Sequence, residues 1–137
     1  MSTPIRRRER DAVEIRGDYQ ARALESRWAA QRFWHAAKVR LLDHVAPPRP
    51  GSRVADAGCG SGVISSHLAR TAGRVTAFDS NPAAVAHGTA AYGRPNLSFV
   101  LGPFERMRDF APFDEIVCLE VLEHLYLEQA EATLRLF

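Results

Sequence analysis

Between Arg53 and Leu119 short apolar runs alternate with stretches whose apolar residues recur every three or four positions. Arg53-Val54-Ala55-Asp56, Arg74-Val75-Thr76-Ala77-Phe78-Asp79, Leu97-Ser98-Phe99-Val100-Leu101 and Glu115-Ile116-Val117-Cys118-Leu119 read as four buried strands. A helix is expected over 63–70. Another is expected over about 82–92, opened by Asn81 as N-cap and Pro82 at the first helical position. Strand, helix, strand, helix is the grammar of an α/β fold, a parallel sheet with helices on its faces.

Upstream, residues 18–45 contain neither Pro nor Gly. Leu24, Trp28, Trp34, Ala37, Leu41, Leu42 and Val45 recur there at roughly helical spacing behind Asp18, a candidate N-cap, so one long or broken helix is expected. Ala46-Pro47-Pro48-Arg49-Pro50-Gly51 stops it, because proline lacks the amide and clashes with the preceding turn. Leu125, Leu127, Ala130, Leu134 and Phe137 suggest a last helix running from Glu123 to the terminus. The expected organisation is a basic arm over 1–17, a helical cap over 18–46 and a sheet domain over 51–137. The chain stops inside a helix and leaves its fourth strand as an edge, so a partial chain is expected.

Composition changes this picture little. The chain has 137 residues, 46% hydrophobic and 25% charged, which excludes collagen-like, low-complexity and wholly disordered chains. No apolar run of about 18 residues exists to span a membrane. The first residues hold arginines with no apolar stretch behind them, unlike a secretory signal. Two cysteines, Cys59 and Cys118, make neither a disulfide framework nor a zinc spacing, and a reducing, cytoplasmic setting is expected. Charge is uneven: residues 1–50 are net +5 and residues 51–137 net −3. Arg6, Arg7, Arg8 and Arg10 suit a nucleic-acid or anionic-lipid arm, but Glu9, Asp11 and Glu14 dilute them, and a solvated terminus is preferred.

The chemistry sits in Val54-Ala55-Asp56-Ala57-Gly58-Cys59-Gly60-Ser61-Gly62, between a strand and a helix. Glycines at such a turn permit positive φ and close approach of a ligand to the backbone. Asp79 ends the next strand 21 residues after Gly58, where a carboxylate can hold the two hydroxyls of a ribose. The glycines stand at 58, 60 and 62, with Val at 63, so the dinucleotide spacing G-x-G-x-x-G is not met. No Gly-Lys-Ser/Thr follows, which excludes a P-loop. S-adenosylmethionine has an amine to hold and no phosphate, and Asp56 beside the turn suits it.

Four stretches carry a family resemblance: VADAGCGSG, AFDSNP, the LSFVLGPFE strand exit and FDEIVCLEVLEHL. Over about residues 35–137 the chain resembles the N-terminal part of class I S-adenosylmethionine-dependent methyltransferases. It most resembles the branch of the ubiquinone-biosynthesis O-methyltransferases and the small-RNA 2′-O-methyltransferases. The resemblance implies a Rossmann-like, doubly wound, mostly parallel sheet. It implies that Gly58, Gly60 and Gly62 line the methionine part of the cofactor, with Asp56 near its amino group. Asp79 takes the ribose hydroxyls, with Ser80 and Asn81 beside the adenosine. The exit Gly102-Pro103-Phe104-Glu105 borders the adenine, and Leu119 and Glu120 lie under the methionine part. Lys38 stands 20 residues before Gly58, where the ubiquinone-type enzymes carry a cofactor-contacting Arg; a Lys there lacks the bidentate fork.

Glu120, Glu123 and His124 share one face if a helix begins near Glu120. Three readings stay open: a helix-end carboxylate with a packed imidazole, His124 as general base with Glu120 second, or a divalent-metal set as the small-RNA enzymes resemble. No further ligands are visible, and no metal site is assigned. Trp28, Phe33 and Trp34 suit core or a lid over the cofactor. His35, His44, His67 and His87 are read as surface or packing, and Cys59 as a small residue that fits rather than a nucleophile. The expected activity is methyl transfer to a small hydroxylated or phenolic acceptor. RNA 2′-O-methylation and cofactor binding without catalysis are the alternatives.

Overall fold

A computed structural model of the chain describes residues 16–137. The basic arginines 6–10 lie outside them. The cap is two helices, α1 (Tyr19–Leu24) and α2 (Ala29–Val45). The break falls at Ser26, whose hydroxyl accepts from the Trp28 amide at 3.2 Å and diverts the backbone from the helical ladder. Asp18 stands at the N-cap of α1 but makes no side-chain capping bond; its carboxylate lies 3.7 Å from Arg22 and 4.0 Å from Arg16. The core reading of the aromatics is corrected: Trp28, Phe33 and Trp34 are 77%, 68% and 60% exposed, and Leu41 and Val45 are exposed with them. Only Leu42 of α2 is buried.

The sheet follows the expected alternation closely. Strands β1 (Arg53–Ala57), β2 (Arg74–Asp79), β3 (Leu97–Leu101) and β4 (Glu115–Val117) pair in parallel in the order β3-β2-β1-β4. Ala55 stands opposite Thr76 and Ile116, and Phe78 opposite Val100. Helix α3 (Val63–Leu68) links β1 to β2, and α4 (Pro82–Tyr92) links β2 to β3. Asn81 caps α4 as expected, its side-chain oxygen accepting from the amides of Ala83 and Ala84 at 2.9 and 3.4 Å. β4 is shorter than expected: Cys118 and Leu119 have left the ladder.

Side chains of a strand alternate between faces, and each face here has its own core. Val54, Val75, Ala77 and Leu97 pack with Leu42, Ile64 and Leu68 on the helical face. Ala55, Ala57, Phe78 and Val100 form the other core with Met107, and Phe104, Phe110 and Phe113 pack against it. That second face is covered by a 3₁₀ turn (Phe104–Asp109) and the loop after it. The last helix begins later than expected. A short 3₁₀ turn (Leu122–His124) precedes α5 (Leu127–Leu134). Among the described residues no helix is long and apolar enough to cross a membrane.

Candidate functional site

The carboxyl ends of β1 and β2 meet at the glycine turn. Gly58, Gly60 and Gly62 all hold positive φ, at 81°, 53° and 87°. A side chain at Gly62 would be doubly penalised: its φ is left-handed, and its Cβ would lie 2.7 Å from the Phe99 ring. The amides of Gly58 and Cys59 donate to the Phe78 carbonyl at 2.8 and 3.0 Å, tying the turn to β2. The Asp79 carboxylate completes the tie. One oxygen accepts from the Gly60 amide and the other from the Asn81 amide, both at 2.8 Å. Asp79 is half-buried, so one carboxylate orients the turn, the start of α4 and an accessible rim.

Asp56 stands near the end of β1, just before the glycine turn. It is 2% exposed and lies beneath the turn, accepting from the Ser65 hydroxyl of α3 at 2.6 Å. Burial pushes its carboxyl up from 3.8 to about 6; the Ser65 bond opposes this and the charge of Asp79 adds to it. The folded state therefore binds the Asp56 proton more tightly than the unfolded chain. Its contribution to stability is complete below about pH 4 and is lost as pH rises through about 6. Asp56→Asn, which keeps an oxygen for Ser65, is expected to remove this component, on the order of 2 kcal/mol between those limits. Urea unfolding across that range checks it; equal pH slopes for both proteins would contradict it.

The cap closes over the turn. The Ser61 hydroxyl donates to Gln20 Oε1 at 3.3 Å, and a side chain at Gly60 would begin 3.0 Å from the Gln20 amide nitrogen. Gly17 is buried against the backbone of Ala83 at the start of α4. A small cavity beside the N-terminal end of α3 is lined by Gln20, His35, Lys38, Val63 and Ile64. Burial and the charge of Lys38 push the His35 imidazole down, against the charge of Glu120.

Opposite the turn, Glu120 adopts φ 55°, the single positive-φ residue other than glycine among the described residues. Its carboxylate pairs with the Lys38 ammonium and accepts from the Trp34 indole N–H at 3.2 Å. Lys38 also lies 5.8 Å from the Trp34 ring centroid, within range of a cation–π contact. Burial works against ionisation of Glu120, but Lys38, Trp34 and His35 together hold its carboxyl below the ordinary value.

The expected helical face of Glu120, Glu123 and His124 is therefore corrected. Glu120 lies outside any helix, and Glu123 and His124 belong to the following 3₁₀ turn, both exposed. Among the described residues no three His, Cys, Asp or Glu side chains converge as a metal-holding set. Ser80 is exposed and Phe104 half-buried at the exits of β2 and β3; Leu119 is 38% exposed just past β4. Cys59 is buried, and burial pushes its thiol up, which suits a packing role. Sequence reasoning missed Gln20, His35 and Val121, whose side chain packs over Gly58. The one local signal was the i, i+4 spacing of Trp34 and Lys38; their partner Glu120 is 82 residues beyond Lys38.

A glycine turn tied to an acidic strand end, under a helical cap, defines a Rossmann-like domain built for a nucleoside-bearing cofactor. Comparison with known proteins gives the family. A model described as "Methyltransferase domain" matches residues 54–137. The ubiquinone biosynthesis O-methyltransferase of Xanthomonas campestris pv. campestris (strain B100) is 34% identical over 113 residues, covering 75% of this chain and 47% of the relative. That of Methylocella silvestris is 38% identical over 87 residues, covering 61% and 34%. Magnesium protoporphyrin IX methyltransferase from Synechocystis PCC 6803, solved with bound S-adenosylmethionine, superposes with a TM-score of 0.69 at 25% identity, covering 93% of this chain and 67% of that one. The chain belongs to the methyltransferase domain family, within the class I S-adenosylmethionine-dependent methyltransferases. The family's cofactor is S-adenosylmethionine. The chain spans about half the length of the curated relatives it matches, 47% in the first case.

Proposed function

We propose that residues 51–137 bind S-adenosylmethionine, that residues 18–46 cap the bound cofactor, and that the protein transfers its methyl group to a small hydroxylated or phenolic acceptor. The observation that carries this reading is the Asp79 carboxylate, held at the rim by the Gly60 and Asn81 amides. Each of its oxygens keeps a lone pair for a ribose hydroxyl. The donor set fits the cofactor: a carboxylate for the ribose, and Lys38 with Gln20 in the neighbouring cavity for the α-carboxylate. Gly58, Gly60 and Gly62 line the methionine part, with Asp56 acting from beneath through Ser65. Ser80 and Phe104 flank the adenosine, and Leu119 lies under the methionine part.

When bound, the cofactor supplies a methyl group already activated on a sulfonium. The protein then needs to orient the acceptor oxygen in line with it and to exclude water. His124, exposed past β4, is the proposed base for the acceptor hydroxyl, with Glu120 second. The names of the similar O-methyltransferases support an oxygen acceptor. The free thiols of Cys59 and Cys118 support a reducing, cytoplasmic setting. RNA 2′-O-methylation is the alternative; the helical face that would gather Glu120, Glu123 and His124 is not formed. Cofactor binding without transfer is a second reading.

Calorimetric titration with S-adenosylhomocysteine tests the proposal. Binding in the micromolar range is expected. A chain that is folded by circular dichroism yet gives no binding heat would overturn the cofactor assignment.

A further inference from the structure

Lys38 stands between two claims on its charge. Its side chain is only 16% exposed and lines the cavity beside the glycine turn, yet its ammonium is paired with Glu120 across the cleft. The other cavity-lining residues are Gln20, His35, Val63 and Ile64. Gln20 is neutral, and the imidazole of His35 is pushed toward its neutral form by burial and by Lys38 itself. The cavity therefore offers one firm positive charge. A carboxylate entering it meets a cation already neutralised by Glu120.

Glu120 is also held against its own backbone preference. A glutamate at φ 55° sits in a left-handed region that residues other than glycine rarely adopt and that persists only where its surroundings impose it. The side-chain contacts made by its carboxylate are Lys38 and Trp34, both from α2. Withdrawal of the Lys38 charge would remove the stronger of the two. Lysine suits such an exchange better than arginine, because its ammonium is a compact charge on a flexible stem with no rigid fork.

We propose that Lys38 is a shared cation, paired with Glu120 when the cavity is empty and handed to the α-carboxylate of the cofactor on binding, so that Glu120 is released toward the acceptor side only in the loaded protein. Lys38 is thus a positioning residue for Glu120, and binding is ordered, cofactor before acceptor. The inference rests on the cofactor assignment above. It makes Glu120 a competitor of the cofactor for the same charge.

The test uses the whole 137-residue chain. Glu120→Gln is expected to bind S-adenosylhomocysteine about three- to fivefold more tightly than the natural sequence, the size expected for loss of a half-exposed competing ion pair. Lys38→Ala is expected to bind it more weakly. A second readout follows Trp34, whose indole N–H is bonded to Glu120. In a Trp28→Phe background, S-adenosylhomocysteine is expected to shift Trp34 emission. Methylthioadenosine, which keeps the nucleoside but lacks the carboxylate, is expected to bind without the shift. Equal or weaker binding by Glu120→Gln, or the same emission change with both nucleosides, would overturn the exchange while leaving the cofactor assignment standing. Binding of neither nucleoside by the natural, folded chain would overturn both.

Discussion

Asp79→Ala is expected to weaken S-adenosylhomocysteine binding by about a hundredfold, the largest binding effect of any single change in the site. Two losses add. The proposed pair of ribose hydroxyls loses a charged acceptor, and hydrogen bonds to charged groups are worth about 1.5–3 kcal/mol each. The turn also loses its anchor, because the Gly60 and Asn81 amides both donate to this carboxylate at 2.8 Å. Without it the glycine turn is held by the two bonds to the Phe78 carbonyl alone on this side. Asp79→Asn should fall between the two, since one amide oxygen remains but an N–H₂ now faces a backbone N–H. Calorimetry with a thermal melt on each variant separates lost binding from lost fold. A folded Asp79→Ala protein binding within threefold of the natural chain would show that ribose recognition lies elsewhere.

Phe78→Ala carries the largest expected loss of stability, about 4 kcal/mol. Phe78 is fully buried in β2, on the face opposite α3 and α4. Its ring meets Phe110 at 5.5 Å and Phe113 at 6.2 Å between centroids, both edge-to-face. That face is covered by a 3₁₀ turn and a loop rather than a helix, so the aromatic cluster is what seals it. Truncation would leave a void that flanking strands, fixed by their parallel register, cannot collapse to fill. Because the carbonyl of the same residue accepts from Gly58 and Cys59, loosening β2 should also weaken cofactor binding. Urea unfolding measures the first effect. A loss under 2 kcal/mol would mean the cluster is plastic enough to repack.

The parts of this protein that were legible in its sequence are those encoded by near neighbours. β2 and β3 lie where their short runs rich in Val, Phe and Leu place them, because such side chains favour a pleated, half-buried strand. Asn81 and Pro82 set the start of α4, since capping is settled within three residues. The spacing of Gly58, Gly60 and Gly62 located the turn, because positive φ at three positions selects for glycine. Family resemblance then supplied the cofactor.

Tertiary structure decided the rest. A helical period in 18–45 marks apolar positions but not what covers them, and Trp28, Phe33 and Trp34 prove exposed. Asp56 reads as a carboxylate beside the glycine turn, and the alternation of β1 buries it beneath that turn on Ser65. Glu120 looked like the start of a helix; it instead holds a left-handed φ outside any helix, with its carboxylate on Lys38 and Trp34 of α2. Local sequence specifies backbone preference over a few residues. The pairing of Lys38 with Glu120, 82 positions apart, exists only because the sheet brings the cap and the exit of β4 to the same cleft.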